Sequence, residues 1–540
     1  MDGKAKAEKE RTISAWGGGR NNDRLLLKRS LLYTFLLGLS AHGFLMVNIS
    51  ASHDAVFDFY DASAAHQHQI GLGRILEPVY RELTASGLLM PWSLGIVAFF
   101  WLGIAVFLVC RLFELSERTD VLLTAGIMTV NISVTAVAAA YTPWLAADMF
   151  ALMLAAAGAR FWQLYGERRE KKWLLSGALA VVVSLSIYQC YLAVTVVLII
   201  LLSMQNLVRK DGAVKVFRDG AAGIGMLLAG GIVYYALMKA VCSLVGTPLA
   251  EGYYDSVTNL WDNSEPVRMR LYYCLKEAAT HFFAKDENSY PYQAVWFVNI
   301  LLLAVCLSLA VCLLRQIWGS FSWREWLLFL LLAAVLPFAA YMMRLLNPHV
   351  HDLMVYAVWL LYLLPVLLRK WVFCGKEGKA PGVGERKRAA ADRYYYGVIA
   401  VSLSFIIFSY IQTDNAVYVK KEVESKATLS LMTEVMAEVD RTEGYVPGET
   451  EVTFVGDISK VLQELPGTER IKGVSGCNKP TSITYPGTYQ AYFDHILLRD
   501  VKVVFDDAPN QENAEVMQMP SYPQTGYVRV VDQVVVVKWN

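Results

Sequence analysis

The chain has 540 residues, 55% hydrophobic and 18% charged, with a formal net charge of +1 and a positive mean hydropathy. Soluble globular chains carry about 25% charged residues, so the composition indicates a membrane protein. The near-neutral balance excludes nucleic acid as a bulk electrostatic partner. The eight cysteines form no CxxC pair and no zinc-like Cys/His spacing. Most of them fall in apolar runs and read as small buried hydrophobes; only Cys274 and Cys477 lie in polar segments.

In chain order, residues 1–28 form a charged tail, predicted to be disordered and cytoplasmic. Its WGGGR (Trp16–Arg20) lacks the strand and helix that a nucleotide loop needs. The first apolar run is long and has no small-residue cleavage site, so no cleavable signal peptide is expected. A span needs roughly 20 apolar residues. Eleven runs qualify: 31–49, 91–113, 121–140, 146–164, 173–187, 191–207, 221–245, 295–317, 326–343, 353–370 and 395–412. The break around Tyr188–Tyr191 is the weakest of these divisions. With eleven spans, the N-terminus and every Lys/Arg-rich loop (111–118, 167–172, 209–218, 315–324 and 369–393) fall on one side. The positive-inside rule makes that side cytoplasmic. Segments 50–90, 246–294, 344–352 and 414–540 then face outward. Within them, 75–89 and 268–283 carry amphipathic helical spacing suited to the membrane interface.

The composition changes at Asp414. Residues 413–441 read as one amphipathic helix with Leu429, Met432, Val435, Met436 and Val439 on one face. A strand over 450–458, a helix over 485–497, a strand over 501–507 and a hairpin turning at Asp532–Gln533 follow. The fold class expected is thus a polytopic α-helical membrane domain, residues 29–413, with a small α/β domain outside the membrane.

Ionisable residues are nearly absent from the middles of the spans, which argues against an ion-coupled transporter. Polar residues collect instead on the outer side. Segment 52–81 carries His53, Asp54, Asp58, Asp61, His66, His68, Arg74, Glu77 and Arg81. Near it in topology come Tyr141–Trp144, Asp148, Tyr188, Gln189, Tyr253–Asp255, Arg344, His349, His351 and Asp352. Carboxylates, cations and aromatics at one membrane surface suit transfer of a sugar from a lipid-linked donor. An acceptor hydroxyl needs a carboxylate base, a leaving phosphate needs cations, and one carboxylate suffices for inversion.

Asp54 is the candidate base, against the plainer reading of a turn or cap residue. Asp58, one helical turn on, reads as a second acid, a metal ligand or a solvated side chain. No cofactor is specified, and a divalent cation is the one left open, although His53, Asp54 and Asp58 alone do not make a metal site. Arg74 is the candidate phosphate ligand through its planar fork, with Arg344 and His349 as further phosphate partners. Their plainer readings are headgroup anchors and span-end charges. His53 is a candidate to orient Asp54 or contact substrate. Tyr188, Gln189 and Tyr80 are candidate sugar or acceptor contacts, the first two also being readable as a helix kink. Asp61, His66 and His68 read as solvated loop residues.

One ordered set of motifs carries a resemblance. An apolar span, Ser52-His53-Asp54-Ala55, about twenty residues and then LGRILEPVY (Leu72–Tyr80) resembles the Gtr type II family of membrane glucosyltransferases, known from O-antigen modification. SIYQCY (Ser186–Tyr191), Asp414-Asn415-Ala416 and VTFVGDI (Val452–Ile458) are similar to features of that family in the same order. Ile75 departs from it, standing where an aromatic is expected. The resemblance implies a GT-C fold with its catalytic acid in the first outer loop. It also implies a polyprenyl-phosphate-linked glucose donor, a cell-surface glycan acceptor and a bacterial plasma membrane. Two alternatives stand beside it: a flippase or transporter of lipid-linked sugar, and a membrane-anchored glycan-binding protein. The role expected for the outer domain is acceptor docking or a lid.

Overall fold

A computed structural model describes residues 2–48, 50, 52–60, 62–85, 89–250, 265–283, 294–373 and 383–540, with the side chains of 2–20, 57–60, 62–64, 85, 294 and 383–385 outside the description. Asp61 and Tyr253–Asp255 therefore lie outside the described residues. So does the side chain of Asp58, whose backbone is helical.

The membrane half begins with α1 (Asp2–Val47), which continues as helix through the tail expected to be disordered. Three short helices follow: α2 (His53–Tyr60), α3 (Ala62–Gly71) and α4 (Glu77–Ala85). Then come α5 (Pro91–Phe113), α6 (Arg118–Thr129), α7 (Ile132–Ala140), α8 (Leu145–Arg168), α9 (Lys171–Ile187), α10 (Leu192–Val208) and α11 (Ala213–Val245). Among the described residues, nine helices are long and apolar enough to cross a membrane. Counting α6 and α7 as one bent span makes ten.

Two of the eleven expected spans thus fail to stand as single membrane-crossing helices, each for a visible reason, and the span over 353–370 alternates 3₁₀ and α turns. Asn131 breaks the third: its side chain accepts from Val134 N (3.1 Å) and caps α7, while its amide donates to the carbonyls of Ile127 and Met128. The two pieces meet at 41°. The fifth, α9, has 17 residues. At 1.5 Å per residue it is about 25 Å long, short of a hydrocarbon core about 30 Å thick. It ends where Tyr188 turns extended, at φ −153° and ψ 117°, and one 3₁₀ turn (Gln189–Tyr191) leads into α10.

The basic loops do gather at one end of the bundle. Arg209 forks onto Glu114 (2.9 and 2.7 Å), Lys370 reaches the carbonyls of Phe113 and Glu114, and Arg169 pairs with Asp219. The C-terminal end of α1, the end of α7, the start of α8 and the α9–α10 break lie at the other end, around a cavity described below.

The helix Val383–Val439 has 57 residues and runs without a break past Asp414, where the change of composition suggested a boundary. At this point it is fastened to the bundle. Asp414 accepts from the Thr135 hydroxyl (2.6 Å), Asn415 donates to the Ser40 carbonyl (2.9 Å), and Tyr418 bonds His42 Nδ1 (2.7 Å). Its far end supplies Leu431, Met432, Val435, Met436 and Val439 to the core of the C-terminal domain. Leu429, expected on this face, is instead 39% exposed, and Leu431 takes its place.

That domain is built on a four-stranded sheet in the order β2-β1-β4-β3, from β1 (Glu451–Val455), β2 (Lys502–Val503), β3 (Val528–Val531) and β4 (Val534–Lys538). β1 pairs in parallel with β2 and β4, and β3–β4 is an antiparallel hairpin. Its two turn residues, Asp532 (φ 50°) and Gln533 (φ 67°), both have positive φ, which matches the right-handed twist of the strands. The strand expected over 501–507 is reduced to two paired residues. One face of the sheet packs Val452, Phe454, Tyr489 and Trp539 against the long helix; the other packs Val455, Val516 and Met519.

Candidate active site

The SHDA segment folds as a capped helix start. Ser52 accepts from Ala55 N (3.2 Å) through its hydroxyl, which in turn donates to the Ala140 carbonyl at the end of α7. A serine at this position satisfies an otherwise orphaned helix donor. Ala55 and Val56 are buried, which turns one face of α2 inward and leaves His53 and Asp54 half-buried. Asp54 sits in the first helical turn, where the backbone dipole favours a carboxylate. His53 Nε2 lies 3.3 Å from Asp54 Oδ2. Burial, helped by the charges of Lys421 and Lys479, pushes the His53 imidazole down to about 4. At neutral pH the ring is therefore an uncharged neighbour of Asp54 rather than an ion-pair partner.

The LGR segment is a turn that only glycine fits. Gly73 has φ +82°, and a Cβ there would lie 2.5 Å from Tyr234 Oη and 3.0 Å from Gln189 Nε2. The turn is pinned from three sides. Gln189 donates to Leu72 O (3.0 Å), Tyr234 donates to Gly73 O (3.0 Å), and Leu76 N donates to Ser186 O (2.8 Å). These contacts aim Arg74, which is 6% exposed. Its Nη1 donates to Gln69 Oε1 (3.0 Å), and its guanidinium lies 4.7 Å from the Tyr188 ring and 5.9 Å from Trp144. Trp144 is itself stacked on Tyr141, with centroids 4.4 Å apart.

Asp54 and Arg74 open onto one cavity of about 600 Å³. The short helices contribute His53, His68, Gln69, Leu72 and Glu77 to its wall. The spans contribute Tyr141, Trp144, Asp148, Ile187 and Tyr188, and the region before the helix at 356–359 adds His351, Leu353 and Met354. Asn478, Lys479, Thr484 and Tyr485 come from the C-terminal domain. Asp148 is buried in the first turn of α8, close enough to feel the Arg74 charge. A carboxylate, a guanidinium and aromatic faces thus share one space of about 600 Å³.

The structure brings Asp54, His53, Arg74 and Tyr188 together and places Gln189, Tyr80, Arg344 and His349 away from them, while the Asp58 side chain lies outside the description. Gln189 is the staple of the LGR turn and does not line the cavity. Tyr80 stacks on Phe150 at 5.2 Å and accepts from Trp101 Nε1 at 2.7 Å, a span-packing role. Arg344 is 3% exposed and bound by two carboxylates, with Glu265 gripping both Nη atoms (2.8 and 3.1 Å) and Glu277 meeting Nε (2.9 Å). The Arg344 guanidinium holds Glu265 below the usual carboxylate range. His349 does not line the cavity, and its backbone N–H donates to Asn347 Oδ1 (3.1 Å). Among the described residues, which leave out the Asp58 side chain, no three His, Cys, Asp or Glu side chains form a metal-holding group.

Sequence reasoning missed Gln69, His68 and the four residues of the C-terminal domain. His68 read as a loop residue because α3 shows no apolar spacing to mark its face. Lys479 lies in a stretch without periodicity and Tyr485 at the start of an expected helix, both most of the chain away from Asp54.

The profile of one protein family, described as glucosyl transferase GtrII, matches residues 43–367, more than half of the chain and the whole of the membrane-side wall of the cavity up to Met354. No curated protein matches the chain.

Proposed function

The chain belongs to the GtrII glucosyl transferase family, and from that premise we propose that it moves glucose from a polyprenyl-phosphate donor to O-antigen glycan with inversion, using Asp54 as base. As a member of this family it is a multi-pass membrane glycosyltransferase. The single observation that carries the finer reading is that Asp54 and Arg74, from the two family-like motifs, open onto the same 600 Å³ cavity.

In this reading the acceptor hydroxyl gives its proton to the Asp54 carboxylate as its oxygen attacks the anomeric carbon. The bond from that carbon to the phosphate oxygen breaks on the opposite face, and polyprenyl phosphate leaves with the electron pair. Arg74 stabilises the charge that develops on the phosphate; such a contact strengthens as the bond breaks, so it lowers the barrier rather than merely tightening binding. Neutral His53 keeps Asp54 aimed. Tyr188, Tyr141 and Trp144 supply apolar faces for the sugar and for the start of the lipid. The cavity end of the bundle is the extracytoplasmic end, as the collection of basic loops at the other end supports.

The test is transfer of radiolabelled glucose from synthetic polyprenyl-phosphate glucose to O-antigen by purified full-length protein. Asp54→Asn is expected to lower the transfer rate by about 10²–10⁴-fold with expression unchanged. Full activity in that variant would remove Asp54 from the role of base.

A further inference from the structure

Segment 476–485 of the C-terminal domain reaches the cavity, and the reaction as written makes no use of it. Three contacts hold it there. Gly476, at φ +81°, comes so close to α7 that a Cβ would lie 2.9 Å from Ala140 Cα, the residue whose carbonyl receives the Ser52 hydroxyl. Lys421, buried on the long helix, donates to the Gly476 carbonyl at 3.2 Å. The helix Pro486–Tyr492 packs directly on α2, the helix that carries Asp54. Val474 and Cys477 are moreover part of the apolar cluster formed by the spans. The segment is thus built into the membrane half and registered on the SHDA helix.

From that anchorage Lys479 and Tyr485 line the cavity. The helix that follows this segment, Pro486–Tyr492, packs on the Asp54-bearing α2, which puts Lys479 and Tyr485 on the side of the proposed base. Arg74 lies against Tyr188 and Trp144. An inverting displacement puts the attacking and leaving oxygens on opposite faces of the anomeric carbon. Groups beside the base therefore meet the acceptor, and groups beside Arg74 meet the phosphate. We propose that Lys479 and Tyr485 form the acceptor subsite, with the ammonium donating to acceptor sugar oxygens and the phenol ring lying on an acceptor sugar face. The C-terminal domain thereby selects the glycan. This inference rests on the reading of Asp54 as base.

The experiment uses the full-length protein with synthetic polyprenyl-phosphate glucose and the O-antigen of the strain that carries it. Lys479→Ala and Tyr485→Ala are each expected to raise the acceptor KM by about tenfold or more, with donor affinity unchanged. Tyr485→Phe, which keeps the ring, is expected to stay near wild type. An unchanged acceptor KM in both alanine variants overturns the subsite, as does a loss of donor affinity instead. Tyr485→Phe failing as badly as Tyr485→Ala overturns the ring-face contact. Lys479 is exposed, so its removal leaves folding intact. Activity retained in Asp54→Asn would strike the base alone and is read in a separate variant.

Discussion

Arg74 and Arg344 are both buried arginines at the outer end of the bundle by the reading above, and the sequence offers both as phosphate ligands. Their surroundings differ. Arg74 lines the cavity and is held by the amide of Gln69 and the faces of Tyr188 and Trp144. Arg344 is clamped by Glu265 and Glu277, tying the helix Val267–Phe283 to the segment after Ala340. The first arrangement puts a guanidinium on the wall of a cavity. The second uses the charge to join two pieces of chain, and a phosphate entering there would meet two carboxylates first.

That contrast is open to attack from both sides. Arg74→Gln keeps size and hydrogen bonding but removes the charge, and it is expected to lower kcat/KM by about 10²–10³-fold with thermal stability near wild type. Arg344→Ala is expected to do the reverse. It leaves two carboxylates facing each other and costs about 3 kcal/mol of stability, the lower end of the range for broken buried pairs. The low end applies because Glu265 and Glu277 keep 28% and 35% of their side-chain surface in water. Thermal unfolding in detergent reads the loss, and the protein that remains folded is expected to keep its donor KM. Lost transfer at full stability in Arg344→Ala would collapse the distinction.

A smaller effect is expected at the turn that aims Arg74. Gly73→Ala forces a side chain into positive φ and onto Tyr234, at about 1–3 kcal/mol, and transfer is expected to fall because Arg74 is displaced. Acid provides a milder probe of the cavity. His53 takes its proton near 6.5 in the unfolded chain but only near 4 in the folded one. Between these values the unfolded state holds more protons, so stability rises with pH through this window and is lost as pH falls from 6.5 to 4. His53→Gln is expected to flatten that slope in a pH series of melting temperatures. The smallest change is Tyr80→Phe, which removes the acceptor for Trp101 Nε1 and is expected to cost about 1 kcal/mol with no change in either KM.

Much of this was legible in the residues because single elements carry their own signals. Apolar runs marked the spans, and the doubtful break at Tyr188 is a real one. The Asp532–Gln533 hairpin followed from its turn residues and flanking valines. The SHDA and LGR motifs, both in the segment singled out for its carboxylates and cations, open onto one cavity. What failed to show was partnership. The sequence gives the charge of Arg344 but not the two glutamates that engage it. It gives the amide of Gln189 but not that a glycine turn consumes it. Leu429 and Leu431 are equally apolar, and only the direction of approach of the sheet decides which is covered. Lys479 is one cation among many until Gly476 is seen against Ala140.

The unbroken helix Val383–Val439 means that the last span and the C-terminal domain share a single helical phase. Each residue turns an α-helix by about 100° and advances it about 1.5 Å. One alanine inserted between Thr413 and Lys421 would therefore swing the sheet and its 476–485 segment around the helix axis like a weathervane, pulling the mouth of the cavity apart while leaving every residue of that mouth unchanged.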